Sequence, residues 1–267
     1  MSAVAICTDS SALFPLDAVD RLGITVVPIA ITLDGEPFDD REDAIDGFYA
    51  RLSEGARATT SQPSPGEFLE AYARVEAGGA KEVLSIHLDT RISGTLASAE
   101  LAAREAPIPV TVVDTRTVSF GVGVCVRAAA EAIATGASVP DTAATVGRLG
   151  AILRSAFVAR GGPPGRVPDT PAFAVLEFTD GKAEPRGACD TIGEAIEAMA
   201  NRVVEENRPV RVGVGHAAAS TEPSADALAL SLASQSHVVQ VERYRVGPAV
   251  GAHTGPLSFG AFWWPAS

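Results

Sequence analysis

The chain predicts an α/β protein of two α/β domains, the first with a mostly parallel sheet flanked by helices. Three observations predict it. Short apolar, β-branched runs alternate with helical patterns over residues 1–150, a Pro- and Gly-rich stretch interrupts the pattern at 161–171, and a second, smaller set of strand and helix patterns follows. Strand, helix, strand at this rhythm needs crossover connections, which make neighbouring strands parallel and cover both faces of a sheet. A chain of 267 residues is long enough for two such units. One boundary is expected near 155, giving domains over 1–155 and 156–267.

Each element has its own warrant. Ala3 to Thr8 is a short apolar run closed by Asp9-Ser10-Ser11, and Ile24 to Leu33 is β-branched and apolar with a turn signal at Asp34-Gly35. Val83 to Leu88 and Val110 to Val113 are the third and fourth candidate strands. Helical patterns cover 42–53, 65–77, 94–105 and 119–135. The 65–77 helix has the strongest start: Ser64 as N-cap, Pro65 at the first helical position and Glu67 to complete a capping box. After 161–171, which is barred by its prolines from a helix or a central strand, come Phe173 to Phe178 and the turn Thr179-Asp180-Gly181-Lys182. A helix from Thr191 to Glu206, a strand Val210 to Val214, a helix Ser224 to Ser234 and a strand Val238 to Val241 complete the second unit.

Composition removes several classes of function. Acids outnumber bases 33 to 21, giving a formal net charge of −12. Such a chain lacks the cations that displace counterions from phosphates, so no nucleic-acid partner is expected, nor docking on an anionic membrane by charge alone. Cys7, Cys125 and Cys189 stand at no metal-like or redox-like spacing and are expected as small core residues. Residues 1–6 carry no basic leader and no apolar run reaches a membrane span, so a cytoplasmic protein is expected. No histidine pair has ligand spacing on one element, so no metal site is expected; no cofactor is expected either.

Chemistry is expected at the carboxyl ends of the parallel strands, where open α/β sheets bind ligands. Asp9-Ser10-Ser11, Asp89 through Thr95, and Asp114-Thr115-Arg116 each place an acid and then hydroxyls at that edge. Asp9, Ser10, Ser11, Ser61 and Asp114 are therefore expected to line a crevice. Ser93, read as the N-cap of the next helix, either serves that helix alone or stands with Gly94 and Thr95 where backbone N–H groups and the helix dipole attract an anion. Thr59 to Pro65, which includes Thr60, reads equally as an ordinary β-to-α connection and as a wall of hydroxyl donors. His253, among three glycines and two prolines at 247–256, suits an anion donor or a base; His87, His216 and His237 suit packed or surface roles. There is no Gly-x-Ser-x-Gly elbow and no Walker-type loop. A triad of Ser93, His253 and Asp9 or Asp114 stays open as an alternative, a serine hydrolase or phosphotransferase.

These landmarks occur together in an order that resembles the DegV family of bacterial acyl-binding proteins. The matching pieces are Thr8 to Ser11, Val27-Pro28-Ile29, Thr60 to Pro65, Ile92 to Thr95 with Ser98-Ala99, Val113 to Thr115 with Ser119, Gly121 and Gly123, and Gly247 to Gly251 with His253 to Pro256. The resemblance implies a non-catalytic protein that holds one long-chain fatty acid between its domains. It implies that Thr60 and Ser93 donate to the carboxylate, that Gly94 and Thr95 offer backbone donors, and that His253 lies beside them. The implied partner is an ATP-dependent fatty acid kinase subunit that phosphorylates the carboxylate, with the acyl-phosphate carried on to phospholipid synthesis through transient contact with a membrane enzyme. Neutral donors of this kind would let an acidic protein hold an acidic ligand without a basic patch. One departure stands out: family members carry Leu-x-x-Gly-Gly-Arg-Ile and a further helix where this chain has Val158 to Arg166, so the second domain is expected to be shortened around 160–172. Thr90 and Thr115 replace the commoner serines. A family member turned to another small anionic ligand is the remaining alternative.

Overall fold

A computed structural model of the chain describes residues 4–14, 19, 22–40, 42–159 and 173–266. The proline-rich stretch at 161–171, and with it the expected shortening, lies outside the described residues. The described chain divides into two compact units: residues 1–31 with 60–152, and 32–59 with 153–267.

The first unit is built on a four-stranded sheet in the order β2-β1-β6-β7, from β1 (Val4–Asp9), β2 (Ile24–Val27), β6 (Glu82–His87) and β7 (Val110–Asp114). Every pairing is parallel: Cys7 stands opposite Thr25 and Ser85, and Ser85 opposite Val112. Residues 83–87 of β6 are all buried, as a central parallel strand covered on both faces requires. Helices α2 (Pro65–Ala77) and α3 (Thr95–Glu105) pack on it through Phe68, Ala71, Tyr72, Ala99 and Ala102, which meet Cys7, Val27 and Val83. Helices α4 (Phe120–Ala134) and α5 (Val139–Ile152) pack against β1, β6 and β7 and against each other.

The start of α2 follows local rules. Ser64 Oγ accepts from Glu67 N–H at 3.3 Å while the Glu67 carboxylate accepts from Ser64 N–H at 2.7 Å, so two donors of the first turn are satisfied reciprocally. The apolar run from Ile24 to Leu33, expected as one strand, is divided. Pro28, which has no N–H to give a ladder, ends β2 at Val27, and β3 (Ala30–Leu33) joins a three-stranded sheet in the order β4-β3-β5 with β4 (Glu36–Phe38) and β5 (Ala58–Ser61).

The second unit carries a six-stranded sheet, β10-β9-β8-β13-β11-β12. Its strands are β8 (Arg154–Val158), β9 (Phe173–Thr179), β10 (Lys182–Cys189), β11 (Val210–His216), β12 (Val238–Arg245) and β13 (Phe259–Pro265). All pairings are antiparallel except β11 with β12. Asp180 and Gly181, at φ 51° and 77°, close the β9–β10 hairpin in two residues. Two successive left-handed residues form the turn that matches strand twist, and Asp-Gly is the pair that tolerates it. Helices α6 (Ile192–Val204) and α7 (Glu222–Ala233) bury Met199, Val203, Leu228 and Leu232 against Val212, Val214 and Trp263.

The contiguous division at 155 differs from the observed one, because residues 32–59 cluster with the second unit. The reason is specific to α1 (Ile45–Ser53) and α8 (Pro248–Thr254). Tyr49 O–H donates to the Val246 carbonyl at 2.8 Å, and Arg245 donates to Asp46 at 2.7 Å while its guanidinium lies over the Tyr49 ring. A Cβ on Gly251 would collide with that ring. These are contacts across nearly two hundred residues, which local patterns do not encode. All three cysteines are buried and free, as expected of core residues, and burial pushes the Cys7 thiol up to about 12.

Candidate functional site

The carboxyl edge of the parallel sheet holds three aspartates, and each carboxylate is engaged by its own surroundings. Asp9 is fully buried: its Oδ1 accepts from Ser11 N–H at 3.1 Å and from the Ser11 hydroxyl, and its Oδ2 meets His87 Nδ1 at 2.9 Å. Asp89 is also fully buried and takes Arg91 Nε at 2.9 Å, Arg91 Nη2 at 2.7 Å and Arg91 N–H at 2.8 Å. Burial pushes the Asp89 carboxyl up, but the Arg91 guanidinium and backbone N–H outweigh it and hold the group below the usual carboxylate range. Asp114 Oδ1 accepts from Arg116 N–H at 2.8 Å. These acids shape loops. Asp9 and Ser11, expected to line a crevice, turn inward, whereas Ser10 is half-buried and accepts from Ile29 N–H at 3.0 Å.

The turn after β6 is where the structure concentrates neutral donors. Gly94, not Ser93, is the N-cap of α3, and it supplies no side-chain cap. Ser93 Oγ instead lies 2.8 Å from Thr95 Oγ1 and accepts from Thr95 N–H at 3.2 Å. The helix ladder begins with Ser98 N–H on the Gly94 carbonyl at 3.0 Å. The N–H groups of residues 95–97 therefore precede the first α-type bond, at the positive end of the helix dipole. Thr60 is half-buried and Ser61 exposed at the end of β5, and the next residue brings this segment to the same turn. The Gln62 side-chain amide packs over Gly94, where a Cβ would collide with it, and Gln62 Nε2 donates weakly to the Ser98 hydroxyl at 3.4 Å. Gln62 escaped the sequence reading, although its place between Thr60 and the capped α2 was visible there.

His253 is exposed in the last turn of α8, in the second unit. The imidazole that meets Asp9 is that of His87. His216, at the end of β11, is 8% exposed, and its Nδ1 lies 3.3 Å from Arg243 Nη2. Burial first, then Arg245 and Arg243, pushes its imidazole down. Among the described residues, no group of three or more His, Cys, Asp or Glu side chains is placed to hold a metal ion, and no helix is long and apolar enough to cross a membrane.

A family model described as "Uncharacterised protein, DegV family" matches residues 3–160 and 173–266. The chain belongs to the DegV family. A DegV domain-containing protein of Streptomyces coelicolor is 35% identical over 270 residues, covering 95% of each chain. A DegV domain-containing protein of Mycobacterium tuberculosis is 30% identical over 275 residues, covering 96% of this chain and 95% of its own. A DegV structure from Thermus thermophilus, described by its fatty acid binding, superposes with a TM-score of 0.87 at 30% identity, covering 99% of this chain and all of its own. The structure of a hypothetical protein from Thermotoga maritima, described as revealing a fatty acid binding function, gives 0.88 at 27% identity with the same coverage.

Proposed function

We propose that the protein is a cytoplasmic, non-catalytic carrier that binds one long-chain fatty acid. The observation that carries this is the full-length likeness to structures described as fatty acid binding, at 27–30% identity. In this reading the carboxylate sits at the start of α3. It takes hydrogen bonds from the Ser93 and Thr60 hydroxyls and from backbone N–H groups at Gly94 and Thr95. His253 is assigned to the same carboxylate on the family resemblance. The physics is consistent: neutral donors stabilise a carboxylate while leaving it without a fixed counter-cation, open to phosphoryl transfer. The acyl tail supplies affinity, at roughly 0.8 kcal/mol per buried CH₂. The partner in this reading is an ATP-dependent kinase subunit that converts the bound acid to an acyl-phosphate.

Native mass spectrometry tests the ligand. One co-purifying or added palmitate or oleate per chain is expected, and neither binding would refute the reading. Ser93→Ala and Thr60→Ala are each expected to weaken palmitate binding about tenfold, or about 1.4 kcal/mol, since each removes one donor to a charged group. Unchanged affinity in both would move the head group elsewhere. With ATP and a bacterial fatty acid kinase subunit, palmitate loaded on this protein is expected to become the acyl-phosphate, and no such product would reject the partner.

A further inference from the structure

The first unit buries a connected line of polar side chains that the carboxylate reading does not use. Asp9, Ser85, His87 and Tyr72 are all 0% exposed. From His87 Nδ1 on Asp9 Oδ2, the line continues through His87 Nε2, 2.7 Å from Ser85 Oγ, to Tyr72 O–H, 2.9 Å from the same oxygen. Leu88 N–H adds a further bond to Asp9 at 3.3 Å. The His87 ring meets Phe68 edge-on, with centroids 5.0 Å apart.

Polar groups in such a place are costly unless every one is partnered. Among the described residues the one buried side-chain polar atom without a partner is Thr142 Oγ1, which is not part of this line. Burial pushes the Tyr72 phenol up, so Tyr72 keeps its proton and has an O–H to donate to Ser85 Oγ. Taken from the Asp9 carboxylate, which only accepts, one consistent direction runs through the line: His87 Nδ1–H to Asp9, Ser85 O–H to His87 Nε2, and Tyr72 O–H to Ser85. The line ties together β1, β6 and α2. Those elements lead into or out of the segments that carry the proposed donors: β6 runs into the 89–95 loop, and α2 follows directly on residues 60–64.

We propose that Asp9, His87, Ser85 and Tyr72 form a positioning network that sets the 93–95 turn and the 60–64 segment at the spacing a fatty acid carboxylate needs. The proposal rests on the fatty-acid reading above. The order acid, imidazole, hydroxyl is also that of a hydrolytic triad. Here the hydroxyl lies within a central strand, fully buried, with Tyr72 bonded to the same oxygen, so Ser85 has no access to substrate.

The test uses the full chain and palmitate. Asp9→Asn is expected to weaken palmitate binding at least tenfold, and Ser85→Ala and Tyr72→Phe about threefold. Val203→Ala, a core truncation in the second unit, serves as a stability control. It is expected to lower the melting temperature while leaving palmitate affinity within twofold. Nitrogen NMR of the His87 ring is expected to show the proton on Nδ1 in the wild type, with the signal perturbed in Asp9→Asn. If Asp9→Asn does not fold, Ser85→Ala and Tyr72→Phe decide the matter. Wild-type affinity in these variants, a proton on Nε2 instead of Nδ1, or labelling of Ser85 by a fluorophosphonate would overturn the proposal. A wild type that binds no palmitate sinks the carrier reading itself, while the ring-nitrogen measurement still reports separately whether the network is wired as described.

Discussion

Arg91 and Asp89 show how a buried acid is compensated within its own loop. Asp89 is 0% exposed and Arg91 40% exposed, joined through two guanidinium nitrogens. Removing the cation strands a buried carboxylate four residues before Ser93. Arg91→Ala is expected to cost about 2 kcal/mol in urea unfolding, less than for a wholly buried pair because Arg91 is partly solvated; no loss would show the pair to be incidental. The acids at the strand ends were legible in the sequence, as was a helix start close to Ser93, Gly94 and Thr95. The direction in which each acid turns was not, because that depends on which N–H groups the folded loop presents. His87 illustrates the limit: its expected packed role is found, but its partners Asp9 and Ser85 lie on two different strands.

Helix starts are the elements the sequence predicts best, since their chemistry spans only four residues. The Ser64 capping box of α2 was expected and is found. Ser64→Ala is expected to destabilise the protein by about 1 kcal/mol, read as a lower urea midpoint at unchanged slope. The α3 start was misplaced by one residue, because a serine before glycine reads as a cap although its hydroxyl bonds Thr95. Helix α8 was unexpected: glycines at 247, 251 and 255 suggested turns, yet 248–254 is helical. Proline at its first position favours the start, and Gly251 is required by the Tyr49 ring packed upon it. Tyr49→Phe keeps that ring and removes only the bond to the Val246 carbonyl. It is expected to cost about 1 kcal/mol by thermal or urea unfolding, and a neutral result would place the docking energy in the ring alone. Strands β8 and β13 carry no alternation in polarity to mark them in the sequence: residues 259–264 are all buried.

Among the described residues, the carboxylates and the histidine that depart from their ordinary behaviour point the same way with pH. Asp89 and Glu177 are held below their ordinary 3.8 and 4.5, and His216 below 6.5. As pH falls, the unfolded chain takes up these protons before the folded one does, so stability present at pH 7 is lost on acidification. The His216 part begins as pH drops through about 6.5, and the carboxylate parts only below about 4.5. The urea midpoint is therefore expected to fall between pH 7 and 5 in the wild type and by less in His216→Asn; equal falls would assign that window to other groups. The sequence by itself determined the α/β class, the parallel first sheet, the capped α2 and the ordered motifs that mark the family, because strand periodicity, capping and loop chemistry are written over a few neighbouring residues. Only the tertiary structure decided that residues 32–59 belong to the second unit, that Asp9 meets His87 and Asp89 is buried against Arg91, and that Gln62 packs over Gly94. Those outcomes depend on side chains far apart in sequence competing for the same space and the same hydrogen-bond donors, and that competition is settled only when the chain has folded.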